Sequence, residues 1–228
     1  LPLDRPRGTA RTFGGGRLSV RVPVAVTHAL KELSKAEGAT LYMTLAAALA
    51  VLLSRYAGQD DVAIGTPNAG RAATEVQGVV GLFVNTIVLR IDCGDGGSFR
   101  SLLRRVVATS LDAYAHAELP FEKLVEELHP QRDIGRNPVF DVMLALQNVP
   151  RAPVAIDDLG ASAFPLDRRA APLDLSIYVV EDQGGLSALF EYARDLFDAA
   201  TIERMAGHWQ SLLERVGADP DCQVADLS

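Results

Sequence analysis

The side chains best suited to acid–base chemistry near neutral pH are the four histidines, His28, His116, His129 and His208. None lies three or four residues from another, so no helical turn can present two imidazoles to a metal ion. The cysteines, Cys93 and Cys222, are far apart, and neither belongs to a C-x-x-C pair. The sequence also lacks the G-x-S-x-G pattern of a nucleophile elbow and the G-x-x-x-x-G-K-[ST] pattern of a phosphate loop. These residues alone predict no catalytic centre and no metal site.

The elements that would position any site follow an α/β order. Hydrophobic periodicity predicts the order β-α-α-β-β-α-α-β, followed by a hairpin and a final helix. This order is typical of a layered lobe in which helices flank a mixed β-sheet. Thr40, Ser98 and Asp198 are predicted helix N-caps, because each stands before an apolar run with helical spacing.

Two of these elements allow more specific predictions. Residues 82–91 are apolar with little alternation, which predicts a central strand covered on both faces. Pro120 suits the start of a short helix. The apolar side chains of that helix are expected in the core: Phe121, Leu124, Val125 and Leu128. Residues 149–172, rich in Pro, Asp and Ala, are expected to form an irregular excursion.

Charge and composition limit the classes of partner. The 228 residues have a formal net charge of −7, and 48% of them are hydrophobic. An acidic chain lacks the basic field that neutralises phosphates, so we expect no nucleic-acid groove. The most apolar stretch, residues 41–53, is shorter than the about 20 residues that span a bilayer. We therefore expect neither nucleic-acid nor membrane partners, and two free thiols suit the reducing cytoplasm.

Three short motifs point to a family. Residues 80–86 have the sequence V-G-L-F-V-N-T and are followed by Arg90, residues 116–122 have H-A-E-L-P-F-E, and residues 132–140 have R-D-I-G-R-N-P-V-F. In this order they resemble the F-V-N-T, H-x-x-x-P-F-E and R-N-P-L-F motifs of nonribosomal peptide synthetase condensation domains. Flanking pieces such as L-P-L-D-R-P-R at the start extend the resemblance over almost the whole chain. One such motif would be weak evidence, but the ordered set is specific.

The resemblance implies a two-lobed fold similar to chloramphenicol acetyltransferase, with the active site in a tunnel between the lobes. The catalytic signature of the family, H-H-x-x-x-D-G, lies in the N-terminal lobe, and no His-His pair occurs in this sequence. The Pro-, Arg- and Gly-rich start matches the connection that follows that lobe. We therefore expect residues 1–16 to be an inter-lobe linker and residues 17–228 to be a C-terminal lobe that is inactive alone.

The same resemblance implies roles for single residues. Phe83, Asn85 and Thr86 would line the tunnel, and Arg71 would reach across the lobe interface to the aspartate of the missing signature. The residues themselves leave alternatives open, since Asn85 could instead pin a neighbouring loop and Arg71 could be a solvated loop arginine. The remaining motif residues are expected to be scaffold: Arg90, His116, Pro120, Phe121, Glu122, Arg132, Asp133, Arg136, Asn137 and Pro138. No residue is assigned a catalytic role.

The implied reaction is amide formation between aminoacyl or peptidyl thioesters that are held on the phosphopantetheine arms of carrier domains. The implied partners are the N-terminal lobe, the carrier (thiolation) domains and an adjacent adenylation domain, and the chain itself would bind no cofactor. Two alternatives are a lobe of an epimerization domain or related acyltransferase, and a non-catalytic module that docks carrier proteins. The F-V-N-T stretch favours condensation, because epimerization domains diverge there.

Overall fold

The structure is a computed structural model. It describes residues 1–8, 12–71, 73–94, 96–129, 135–148, 169–182 and 184–227. The predicted scaffold residues Arg132 and Asp133 lie outside the described residues, and so does most of the predicted excursion, residues 149–168.

In the part of the chain that the structure describes, six strands form one mixed sheet. They are β1 (Gly15–Val22), β2 (Asp61–Asn68), β3 (Asn85–Asp92), β4 (Val142–Gln147), β5 (Leu175–Asp182) and β6 (Gly185–Ala193). Their order across the sheet is β1-β6-β5-β4-β2-β3. The strand β4 runs parallel to both β2 and β5, and the other neighbours are antiparallel. The predicted α/β lobe with a mixed sheet is confirmed.

The described residues also contain five α-helices, four between strands and one after β6: α1 (Val24–Ala36), α2 (Leu41–Ala57), α3 (Phe99–Ala115), α4 (Phe121–Leu128) and α5 (Ala199–Ala218). The predicted caps Thr40 and Ser98 each accept a hydrogen bond from a backbone amide of the first turn. Asp198 occupies the cap position of α5, but its carboxylate pairs with Arg5 instead of a helix amide. No single helix in the described part of the chain is long and apolar enough to cross a membrane, although α1 and α2 together pass that test as a pair bent by 106°.

The two faces of the sheet are covered differently. Successive strand residues point to opposite faces. One set is fully buried and packs under α1, α2, α3 and α5: Ile64, Leu89, Leu144, Ile177 and Phe190. The indole of Trp209 in α5 meets the ring of Phe190 edge to face, with centroids 5.8 Å apart. The opposite set remains half-buried: Ala63, Val88, Met143, Tyr178 and Leu189. We call the surface formed by this second set the open face.

The prediction of a central strand at residues 82–91 is wrong. The strand begins at Asn85 and lies at the edge of the sheet, next to β2 alone. Ile87, Leu89 and Ile91 are buried, whereas Arg90, which lies between Leu89 and Ile91, is exposed. This alternation is typical of a strand that is covered on one face. Leu82 lies before the strand and is 91% exposed. Residues 82–84 are apolar but belong to the preceding loop, so the sequence pattern did not show where the strand begins.

The apolar side of α4 is also not in the core, contrary to the prediction. None of its residues is buried, and Leu128 is 58% exposed. Amphipathic spacing establishes that a helix has an apolar face, but it does not supply the surface that covers the face. Within the described residues, α4 contacts mainly β3 and the ring of Phe140.

Two alanine substitutions test the position of β3. Leu89→Ala removes a fully buried side chain and is expected to lower the free energy of unfolding by about 2–5 kcal/mol. Leu82→Ala removes an exposed side chain and is expected to change it by less than about 0.5 kcal/mol. Urea denaturation of both variants measures the difference. Similar losses for the two would contradict an edge strand that starts at Asn85.

Candidate functional site

The family motifs converge where β2 ends, β3 begins and the loop before β4 crosses the sheet. Asn68, the last residue of β2, lies opposite Asn85, the first residue of β3. Gly65 lies opposite Val88 on one side and opposite Met143 on the other. Five residues form what we call the motif cluster: Gly65, Asn85, Phe121, Asn137 and Phe140. They come from four different parts of the sequence, so only the fold brings them together.

Asn85 binds the turn between α3 and α4 through three hydrogen bonds. Its Nδ2 donates to the carbonyl oxygens of Ala117 at 2.9 Å and Leu119 at 2.7 Å. Its Oδ1 accepts from the backbone amide of Phe121 at 3.1 Å. Pro120 precedes that amide and offers no capping side chain, so Asn85 caps α4 from a neighbouring strand. Of the two roles considered for Asn85, pinning a neighbouring loop is the one that these contacts form.

A pair of aromatic rings lies on the open face above Gly65. The Cα–Cβ direction at Gly65 points opposite to that of Ile64, and a Cβ atom there would overlap the ring of Phe140. The ring of Phe121 meets that of Phe140 edge to face, with centroids 5.6 Å apart. The close approach of Phe140 therefore requires glycine in the middle of β2.

The loop before β4 is fixed by its own polar groups. Oδ1 of Asn137 accepts from the backbone amides of Val139 at 3.2 Å and Phe140 at 3.4 Å, which forms an Asx turn across Pro138. Arg136 pairs with Asp141 at 2.5 Å, and this hydrogen bond raises the pKa of the Arg136 guanidinium. These contacts fix the shape of the loop that leads into β4, and the scaffold role of Arg136, Asn137 and Pro138 stays a prediction.

Arg71 organises the loop between β2 and β3. Its guanidinium donates to the carbonyl oxygens of Val76, Val79 and Gly81 and lies 4.4 Å from the centroid of the Phe83 ring. The loop also presents apolar side chains to solvent: Val79, Val80, Leu82 and Val84. We call residues 79–84 the apolar loop. The donors of Arg71 thus bind carbonyls of its own loop, and its predicted contact across the lobe interface stays a prediction.

The remaining predicted residues lie around the cluster or away from it. Thr86 is half-buried beside Asn85 and belongs to the open-face set of β3. Glu122 and His116 are exposed near the start of α4, with Nε2 of His116 4.0 Å from a carboxylate oxygen of Asp112. Arg90 lies farther along β3, where its hydrogen bond lowers the pKa of Asp61. The side chains of Glu122, His116 and Arg90 do not meet the cluster.

Gly65 and Phe140 belong to the cluster but are not among the predicted site residues. A glycine between β-branched neighbours in a strand is a signal for close backbone approach, and it was available in the sequence. Tyr42 gave no such signal. It lies in the first turn of α2, beside Thr66, and burial raises the pKa of its phenol.

The fold and the cluster together define a lobe with one helix-covered face and one open face at which three motifs meet. The model of the condensation domain family matches residues 1–228, and the chain belongs to that family. A linear gramicidin synthase protein of Brevibacillus parabrevis is 45% identical over 229 residues, which cover 100% of this chain and 4% of that protein. Tyrocidine synthase 3 of the same organism is 40% identical over 228 residues, which cover 100% of this chain and 4% of that protein.

Two solved structures show the same fold. A four-domain nonribosomal peptide synthetase, holo-AB3403 bound to AMP and glycine, is 26% identical with a TM-score of 0.91 over 99% of this chain and 18% of its own. The X-domain from teicoplanin biosynthesis is 28% identical with a TM-score of 0.93 over 100% of this chain and 52% of its own. That X-domain has also been solved in complex with OxyB. The chain thus spans about half the length of the X-domain and a small part of the synthetases.

Replacing Asn85 tests whether it caps α4 from the neighbouring strand. Asn85→Ala removes all three hydrogen bonds and is expected to lower the free energy of unfolding by about 1–3 kcal/mol. Hydrogen exchange at the Phe121 amide is expected to accelerate. Asn85→Asp keeps an acceptor for that amide but places a carboxylate oxygen against the carbonyl oxygens of Ala117 and Leu119, so its loss should equal or exceed that of Asn85→Ala.

Asn68→Ala provides the matched control, because Asn68 lies directly opposite and, among the described residues, its side chain accepts a hydrogen bond from the Gly70 amide alone. Its substitution should leave exchange in α4 unchanged. Equal exchange at Phe121 in the two alanine variants would contradict the cap.

Proposed function

We propose that the chain is the C-terminal lobe of a condensation domain and forms one wall of a tunnel between two lobes. The sequence predicts residues 17–228 as the lobe and residues 1–16 as the connection to its partner, and the start of β1 at Gly15 moves that boundary to the residues before Gly15. The observation that carries this proposal is the position of the motif cluster beside surfaces that still expose apolar groups. The open face, the apolar loop and α4 all adjoin it.

The exposed apolar side chains support the proposal that a partner covers this surface. Val80 is 100% exposed and Leu82 is 91% exposed, although both lie in a loop whose backbone is bound by Arg71. A fixed apolar loop gains stability when a second surface removes it from water. The apolar side of α4 and the turn before it would gain in the same way, because Leu128 and Leu119 are each about half exposed. A second lobe placed against these elements would cover them and leave the cluster at the boundary.

The reaction that the family membership supports is amide formation. The amine of a downstream aminoacyl thioester attacks the carbonyl carbon of an upstream aminoacyl or peptidyl thioester. A C–N bond forms, the C–S bond breaks, and the proton lost by the amine accompanies the departing thiol. The sequence has no His-His pair, so a general base of the kind usual for this family would come from the other lobe.

The role proposed for this chain is therefore positioning. Phe83, Asn85 and Thr86 would border the tunnel at the start of β3. Asn85 would act on the tunnel through the turn it binds, which sets the place of α4. Holding two tethered substrates in a defined geometry is itself a large contribution to rate, because it removes translational freedom from the encounter.

The proposed partners are the N-terminal lobe, carrier domains that bring phosphopantetheine-bound substrates, and an adenylation domain. A relative with four domains and relatives in which the matched region is 4% of the protein support a setting in a large synthetase. The chain would bind no cofactor of its own.

A second candidate function is docking without chemistry. The X-domain, which has the same fold, has been solved in complex with OxyB, so a structural neighbour binds a partner protein. The exposed apolar loop and α4 would serve such a role equally well. The two candidates differ in whether amide formation depends on this chain.

Reconstitution with a second lobe separates them. We expect the isolated chain to form no amide from two carrier-bound aminoacyl thioesters. Adding an N-terminal lobe with H-H-x-x-x-D-G should produce the amide, and Asn85→Ala in this chain should slow it by about tenfold or more, because the cap positions α4. Product is measured by mass spectrometry of the carrier-bound species.

The control is the same mixture with the His-His pair of the added lobe replaced by alanines, which should form no product. Turnover by the isolated chain would overturn the proposal. Tight association of the two lobes with carriers but no amide would favour the docking function.

A further inference from the structure

The first eight residues are attached to the lobe by a series of polar contacts. Asp4 accepts hydrogen bonds from the amide of Asp198 at 2.8 Å and the hydroxyl of Thr201 at 3.0 Å. Arg5 pairs with Asp198 and donates to the carbonyl of Arg194 at 2.8 Å. Residues 4 and 5 thus fasten this segment to the start of α5, which lies on the helix-covered side of the sheet.

Arg7 makes a different kind of contact. Its guanidinium donates two hydrogen bonds to the carboxylate of Asp174: Nη1 donates to Oδ1 at 3.0 Å, and Nη2 donates to Oδ2. The side chain of Asp174 is only 2% exposed. The same Nη1 donates to the carbonyl of Gly135 at 2.8 Å. A bidentate pair with an added carbonyl tolerates little displacement, because the carboxylate has lost nearly all of its hydration and the guanidinium most of it.

Both contacts of Arg7 bear on the loop before β4, which contributes Asn137 and Phe140 to the motif cluster. Gly135 begins the described part of that loop. Asp174 stands just before β5, where the amide of Leu175 donates to the carbonyl of Asp141 at 3.3 Å. Residues 135–141, which we call the R-N-P loop, are therefore held at one end by Arg7 and at the other by the strand that Asp174 precedes. Phe140 lies inside this span.

We propose that Arg7 is a positioning residue that couples the path of residues 1–8 to the motif cluster. The coupling runs from Arg7 through the R-N-P loop to the Phe140 ring, and from there to Phe121 and α4. The inference rests on the proposed function in one respect. If residues 1–16 join two lobes, then Arg7 couples the position of the other lobe to the position of the tunnel wall. The local coupling itself requires no second lobe.

Charge removal at both ends of the pair provides the test. Arg7→Met alone would leave a buried carboxylate without its guanidinium, and that variant could fail to fold. The double variant Arg7→Met/Asp174→Asn avoids this, because the asparagine is neutral and nearly isosteric. Hydrogen exchange is followed by mass spectrometry on the 228-residue chain, with peptides from the R-N-P loop and from the first turn of α4 as reporters.

We expect exchange in both reporter peptides to accelerate by about tenfold in the double variant, as for the loss of hydrogen bonds to a charged group. Arg17→Met/Glu191→Gln is the matched control, since it removes another mostly buried pair of the same sheet that lies between β1 and β6. The control should leave both reporters near wild-type rates. Arg5→Met tests the same segment at an exposed pair and should also leave them unchanged.

Equal acceleration in the Arg7 and Arg17 double variants would overturn the proposal, because general destabilisation would then explain it. Unchanged reporters in the Arg7 variant would overturn it as well. A second arm uses the chain reconstituted with an N-terminal lobe. There the Arg7 double variant should lower kcat at least about fivefold with KM for the carrier-bound substrate little changed, the split expected when orientation is lost after binding.

The two arms keep the failures distinct. Accelerated exchange without any amide formation in the wild-type mixture would reject the proposed function and leave the coupling intact. Amide formation with unaltered kcat in the Arg7 variant would reject the positioning role and leave the proposed function intact.

Discussion

One amide side chain at the start of an edge strand determines where the rest of the site lies. Asn85 uses two donor bonds and one acceptor bond to hold the turn that joins α3 to α4. Pro120 cannot cap that helix from within, so α4 begins where β3 allows it to begin. Phe121, the first residue of α4, then meets Phe140 above Gly65. The three family motifs are consequently parts of one packed arrangement.

The unequal faces of the sheet explain why this arrangement sits at a boundary. Four helices bury one face, and the core there includes Trp209 and Phe190 without exposure to solvent. On the other face Met143, Tyr178 and Leu189 remain half-buried among the described residues. A sheet of this kind is stable because one face suffices for a core, and it leaves the second face free to form a wall. The proposed tunnel requires a surface of this kind.

Local chemistry made much of the fold predictable. Thr40 and Ser98 cap helices because a side-chain oxygen before an apolar run satisfies amides that the helix cannot. The long apolar run of α2 and the hairpin between β5 and β6 follow from periodicity in the same way. Features that depend on the tertiary arrangement were not predictable. Whether β3 is central or at an edge is decided by strand order, and whether Leu128 is buried is decided by a surface elsewhere.

The site shows the same division. The motifs drew attention to Asn85, Asn137 and Arg71, whose site roles stay predictions, but the hydrogen-bond partners of Asn85 and Arg71 are backbone groups that no motif specifies. The need for glycine at position 65 comes from the Phe140 ring, which lies against it only in the folded chain. Residue types indicate which groups can bind, and the fold decides what they bind.

The claim that the cluster acts as one unit is tested most directly by a double-mutant cycle between Asn85→Ala and Phe140→Ala. The two side chains hold Phe121 by different groups, its amide and its ring. Denaturation of the wild type, both single variants and the double variant gives their coupling energy. Cooperative positioning of α4 predicts a coupling of about 1 kcal/mol or more, whereas losses that add to within about 0.5 kcal/mol would show that the two contacts act independently.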